Sequence, residues 1–357
     1  MAVNTWDGST DTDWDTAANW TTTGVTDRVP TSADDVVIAD VTNNPIIGGG
    51  LNPEIKSLTI NSGGHLTAGA NTITINSEDV SANYSFLNSG TFVSTSSTLT
   101  FTGAVTTRMT GGTFHSLTFN NGSHETVLKS AATLTGNLTV TAGSFSTNAG
   151  SNFALTVAAD FEITGTLICN ASTITGSGNA YMRSGCTFTG GTATVSHASL
   201  TIDSGRTYSA TSGTTTITAE SGGGYAIQNS GTFTHNKGLV DIDLTSPTTT
   251  MADNGPYYDF TQSDAATDFY TNQAFEVMNN LYFIGDWVFQ NDAHHLTVHG
   301  NMTIGDGTTT TRYMPYNTRT CNLTVGGILE VTNGATLTNF THATINVGGV
   351  RNTGGTM

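Results

Sequence analysis

The sequence predicts an all-β chain wound as a parallel, right-handed β-helix, a β-solenoid with coils of about 17–22 residues. Three observations carry that prediction: short apolar-polar alternation, a motif that returns at a near-constant interval, and a scarcity of residues that favour helix surfaces.

Alternation defines the strands. Ser57-Leu58-Thr59-Ile60, Thr98-Leu99-Thr100-Phe101 and Asn137-Leu138-Thr139-Val140 place apolar side chains two apart, as a strand with one buried face requires. The apolar-Thr-apolar triplet recurs at Leu58, Ile73, Leu99, Leu117, Leu138, Leu155, Leu200, Leu296 and Leu323, and the starts at 99, 117, 138 and 155 are 17 to 21 residues apart. One such interval is one coil. An antiparallel sandwich also has short alternating strands, but likeness of motif from coil to coil favours stacking of like residues above like.

The corners have their own signature. Ser89-Gly90-Thr91-Phe92, Gly111-Gly112-Thr113-Phe114, Ala142-Gly143-Ser144-Phe145, Gly185-Cys186-Thr187-Phe188 and Ser230-Gly231-Thr232-Phe233 put glycine or another small residue before an aromatic. Positive φ at the glycine is the expected reason, with the Phe turning back into the core. About 300 residues at about 20 per coil predict roughly 15 coils, about 70 Å of stacked strands.

Composition narrows the function classes. Charged residues are 10% of the 357, so Lys and Glu are too few to cover helices, while the 36% of apolar residues recur too regularly for a disordered chain. A net charge of −17, from 27 acidic against 10 basic residues without a basic run, opposes nucleic acid and anionic membranes as partners. No apolar stretch approaches the roughly 18 residues of a membrane span, and the first residues lack a classical signal, so no membrane insertion is expected. Three cysteines, Cys169, Cys186 and Cys321, match no zinc or redox spacing. Cys169 and Cys186 are read as small buried neighbours on adjacent coils.

Four segments follow. Residues 1–50 form an N-terminal cap or attachment segment, with Trp6, Trp14 and Trp20 as its candidate residues; 51–245 are solenoid; 246–295 are an aromatic-acidic insertion; 296–357 resume the solenoid without a C-terminal cap. The last ten residues read as another coil beginning, which points to a longer product or a covering partner.

Trp14-Asp15-Thr16-Ala17-Ala18-Asn19-Trp20, followed by Val29-Pro30-Thr31-Ser32-Ala33-Asp34-Asp35-Val36-Val37-Ile38, resembles the opening segment of repetitive β-solenoid proteins of phage virions, tail spikes and fibres among them, and of bacterial adhesins. The resemblance covers about 30 residues closely. It implies a surface structural protein, and the tail-spike likeness implies a homotrimer. In adhesins the segment follows a secretion signal; here it begins near Met1, as in a virion protein assembled in the host cytoplasm.

Candidate chemistry is sparse. Asp11, Asp13 and Asp15 alternate like the first ligands of a calcium loop, but Thr16 and Thr22 stand where its turn glycine and closing carboxylate belong, so a solvated acidic loop is expected. Within 246–295, Tyr257, Tyr258, Asp259, Tyr270, Tyr282, Asp286 and Trp287 are the candidates for a glycan or partner surface, since aromatic faces stack on sugar rings and carboxylates accept hydroxyl hydrogen bonds. A loop packed on the solenoid or a neighbouring subunit is the alternative. Asp241 and Asp243, on one strand face about 6–7 Å apart, have the spacing of an inverting glycosidase, and also that of an ordinary solubilising pair. His294, His295 and His299 are too extended to share a metal. The Asn-x-Ser/Thr triplets, such as the one at Asn137, follow from composition and carry no expectation of glycosylation.

The expectation is therefore a virion structural protein (tail spike, fibre or surface decoration) without cofactor or metal, contacting itself, other virion proteins or a cell-surface glycan. Bacterial surface adhesin and β-helical polysaccharide depolymerase are the alternatives.

Overall fold

In a computed structural model the chain is all-β, about 1% helical, and built of parallel stacked coils, about 13 in all. The structure describes residues 2–78, 83–183, 187–244, 248–252, 255–263, 268–271, 273–289, 295–308, 311–315, 322–337 and 344–357. Two compact units divide it, Met1–Ile174 and Thr175–Met357.

In the first unit the strands form ladders in which like residues pair. Leu99 lies against Ile73 on one side and Leu117 on the other, Leu117 against Leu138, and Leu138 against Phe161. Because side chains alternate across a strand, this register sends Ile73, Leu99, Leu117 and Leu138 into the core and lines Thr74, Thr100, Thr118 and Thr139 up in a half-buried outer row. A second ladder runs through Asp35–Ile38, Ser57–Ile60 and Phe86–Asn88, and a third through Gly112–Phe114, Ala132–Leu134 and Leu155–Val157. Phe101, Phe119 and Phe145 stack inside at 5.0 and 4.2 Å between ring centroids.

The second unit repeats the scheme. One ladder passes from Thr194–His197 through Thr214–Ile217, Leu239–Ile242, Asp259–Gln262, Leu281–Phe283 and Met302–Ile304 to Leu323–Thr332, and Ile345–Thr353 pairs beyond it. The described strands of 246–295 thus pair in parallel with the coils on either side. An interior column of rings, Phe188, Tyr208, Phe233, Tyr257 and Phe275, holds centroid separations of 4.4 to 5.6 Å.

Two expectations need correction. The coils number about 13 rather than 15, because some are long: Leu200 pairs with Ile227, 27 positions on, and Leu296 with Leu323. The corner glycines also serve two different purposes. Gly112 and Gly143 have positive φ, +139° and +75°. Gly90 and Gly231 do not; a Cβ there would collide with the carbonyl oxygens of Gly64 and Asn61, or of Arg206 and Asp203, on the coil below. Close approach of stacked backbones, not backbone hand, selects glycine at those two corners. Phe114, Phe145, Phe188 and Phe233 point into the core as expected, while Phe92 is half-buried.

Candidate functional site

The tryptophans of the opening segment are interior. Val3–Trp6 pairs in parallel with Asp35–Ile38 and antiparallel with Trp20–Thr22, so a short antiparallel strand borders the first parallel one. Trp20 stands edge-on between Trp6 and Trp14, with centroids 5.0 and 4.7 Å away, and all three are at most 2% exposed. Trp6 Nε1 donates to the Asn43 carbonyl at 2.7 Å, and Trp20 Nε1 to the Trp14 carbonyl at 2.9 Å. Burial with the Trp6 and Trp20 indole N–H groups satisfied makes these rings core residues of the opening segment. It also removes these rings from any docking surface.

The aspartates beside them are spent on local hydrogen bonds. Asp11 Oδ1 accepts from the Asp13 N–H at 2.9 Å and from Asn19 Nδ2 at 2.6 Å, and these bonds hold its carboxyl below the usual range. Asp13 Oδ1 accepts from the Asp15 N–H at 3.1 Å. Buried Asn19 gathers the loop, accepting from the N–H groups of Thr10 and Asp11. These are side-chain turns that shape the opening segment.

The aromatic-acidic candidates separate into two groups. Tyr257 and Trp287 are fully buried: Tyr257 belongs to the interior column, and Trp287 packs on Phe269 at 4.4 Å and Phe275 at 5.2 Å. Pairing with neighbouring coils sets both inward, Trp287 opposite Phe269 and Tyr257 in an isolated bridge to Val277. Tyr258, Asp259, Tyr270, Tyr282 and Asp286 are half-buried. Tyr258 packs on the His235 ring at 5.6 Å. Asp259 and Tyr282 come together with Leu239, Thr261 and Asn280 in a shallow depression of about 250 Å³. Asp259 Oδ1 accepts from Asn279 Nδ2 and from the Asn280 N–H, both at 2.9 Å, and so ties its coil to the next. Burial, then the charge of Asp306, pushes the Tyr282 phenol above its ordinary pKa.

Asp241 is on the same outer face, in the row Asp241, Thr261, Tyr282. Its carboxyl accepts from Ser263 Oγ at 2.9 Å; burial raises its pKa, the Ser263 bond opposes that, and the charge of Asp243 adds to the rise. Asp243 is exposed. The two acids and the depression therefore share one face of the second unit.

The histidines go to separate partners. His299 Nε2 lies 2.8 Å from Glu276 Oε1, and His295 Nδ1 accepts from the Asn322 N–H at 3.1 Å. Among the described residues no three His, Cys, Asp or Glu side chains converge on a metal position. Cys169 is fully buried and burial pushes its thiol up; His294, Cys186 and Cys321 lie outside the described residues.

A second concavity, about 360 Å³, opens in the first unit and includes Glu78, Asn83, Thr106, Arg108, Lys129 and Asn148 in its lining. Sequence reasoning passed over it because isolated cations in an acidic chain look like solvated charges. The signal was their spacing: positions 108 and 129 are one coil apart.

A family model described as a domain of unknown function (DUF8693) matches residues 5–120, the opening segment and the first coils of the first unit. No curated protein and no solved structure matches the chain.

Proposed function

We propose that the protein is a structural component of a phage virion, a tail spike, fibre or surface decoration whose β-solenoid holds a contact surface for the host or for the particle. The observation that carries this reading is the use made of its side chains. The three N-terminal tryptophans, Trp287 and the ring column are core, and the outer rows repeat Thr and Ser from coil to coil. Such a chain invests its aromatic residues in cohesion, as a scaffold does. The likeness of residues 14–38 to the opening segment of virion solenoids supplies the class, and with it the homotrimer.

Gradient-purified particles from the producing lysate test the reading. The chain is expected to co-sediment with them, to crosslink as a trimer, and to be decorated by gold-labelled antibody at one place on the particle. Recovery only from bacterial envelopes supports the adhesin alternative, and recovery only as free protein sinks both.

Depolymerase activity is the second reading, favoured by one feature: Asp241, with its raised carboxyl pKa, on the same face as Tyr282 and Asp259. It requires that capsular polysaccharide lose viscosity in the presence of the protein and that Asp241→Asn and Asp243→Asn abolish the loss.

A further inference from the structure

We infer that the concavity of the first unit is a binding site for a carboxylate-bearing saccharide, a uronate unit of a surface polysaccharide, held by Arg108 and Lys129. This deepens the attachment reading above and rests on it only for its biological setting.

Strand register builds the site. Arg108 pairs with Val127, and the Lys129 N–H bonds the Met109 carbonyl at 2.8 Å, so Arg108 and Lys129 are diagonal neighbours on adjacent coils. Met109 and Leu128 between them are fully buried, which turns both cations outward onto one face. Strand geometry separates their Cβ atoms by about 8 Å. That gap accepts one sugar ring with a guanidinium on its carboxylate and an ammonium beyond it.

Charge supports the assignment. The chain has 10 basic residues; Arg28, Lys56 and Arg351 are engaged by Asp34, Asp35 and Glu330. Among the described residues, Arg108 and Lys129 have no such carboxylate, although Glu78 lines the same concavity. Two cations that form no ion pair, placed together in a hollow of a molecule of net charge −17 and outnumbering the one carboxylate in its lining, Glu78, leave a local positive excess that invites a carboxylate. A guanidinium offers the carboxylate two parallel hydrogen bonds, and the ammonium a point charge.

The remaining lining fits the rest of a sugar. Asn83 and Asn148 sit at positive φ, 57° and 70°, in the left-handed turns that bring them to the rim. Their amides and the Thr106 hydroxyl donate to and accept from ring hydroxyls, and Glu78 accepts from them. Glu78 and the acidic surroundings also disfavour densely charged polyanions. At physiological salt, charges beyond about 8 Å are largely screened, so a single carboxylate in the hollow answers to Arg108, Lys129 and Glu78 rather than to the net charge of the chain.

Titration of the full chain with trigalacturonate, its methyl ester and inorganic sulfate, by calorimetry or ligand-observed NMR, tests the site. Trigalacturonate is expected to bind, the methyl ester about tenfold more weakly, and Arg108→Gln and Lys129→Gln each to weaken trigalacturonate about tenfold. Lys237→Gln, a cation elsewhere, is expected to leave binding unchanged. Unaltered melting of the variants verifies that outward substitutions spare the fold. Equal binding of ester and acid, full binding by the Arg108→Gln/Lys129→Gln double variant, or no binding at millimolar ligand overturns the inference. Sulfate binding as tight as trigalacturonate also overturns it, reducing the hollow to a simple anion site. None of these outcomes touches the location of the protein on a particle, which the sedimentation experiment decides separately.

Discussion

Asp35 and Lys56 show how much depends on one partner. Lys56 Nζ lies 2.8 and 2.9 Å from the two Asp35 oxygens, Ser57 Oγ donates to the same carboxylate at 2.6 Å, and both charged side chains are nearly excluded from water. Asp35→Ala leaves the ammonium buried without a counter-charge and is expected to cost about 3–5 kcal/mol in denaturant unfolding. Replacing both residues by apolar ones of similar volume, Asp35→Leu with Lys56→Met, is expected to restore most of that loss. A single-variant cost equal to the double-variant cost would contradict the pairing. His197 makes a second residue-scale case. Burial near Phe188 and Tyr208 lowers its pKa to about 3. Between about pH 6.5 and pH 3 the unfolded chain binds a proton that the folded chain refuses, so stability falls as pH falls through that window, by up to about 1.4 kcal/mol per pH unit. His197→Phe is expected to remove that slope between pH 6 and pH 4. The carboxylates of Asp7, Asp11 and Asp34, held low by their hydrogen bonds, lose their contributions as pH falls further, and do so equally in both proteins.

Among the elements, stacking registers decide what a substitution costs. Phe119 lies between Phe101 and Phe145, with rings within 11° of parallel on both sides, so Phe119→Ala opens a void that two flanking coils must share. The expected loss is about 3–5 kcal/mol. Gly90→Ala places a methyl against two carbonyl oxygens of the preceding coil and is expected to cost about 1–3 kcal/mol. Gly90→Ala should exceed Ser89→Ala, its neighbour in the same corner, in a thermal-melt comparison; equal effects would show that the coils separate easily there. The triplet and corner motifs were legible because each repeats with its strand. Their finer causes were not, since Gly90 and Gly112 look alike in sequence and differ only in φ and in what lies beneath them.

For the molecule as a whole, stacked parallel strands among the described residues bond backbone amides to neighbouring coils, as Thr98 N–H to the Asn71 carbonyl of the preceding coil, and Leu117 and Leu138 N–H to the Asn137 and Asp160 carbonyls of the following ones. Such amides exchange only when neighbouring coils part. Hydrogen exchange is expected to be slowest through 116–146, and native trypsin to digest the chain far more slowly than the urea-unfolded protein; similar rates would refute a cohesive solenoid. Alternation and repeat by themselves determined the all-β solenoid and the inward and outward positions of its regular triplets, because strand period and coil period are written into adjacent positions. Only the tertiary structure decided the rest. The aromatic residues of 246–295 divide into core rings such as Tyr257 and Trp287 and outer ones such as Tyr282, because which face a ring joins depends on the coil it pairs with. Arg108 and Lys129 come to one face for a related reason: the coil period separates them by 21 positions, but only the paired register turns both side chains outward beside the same hollow.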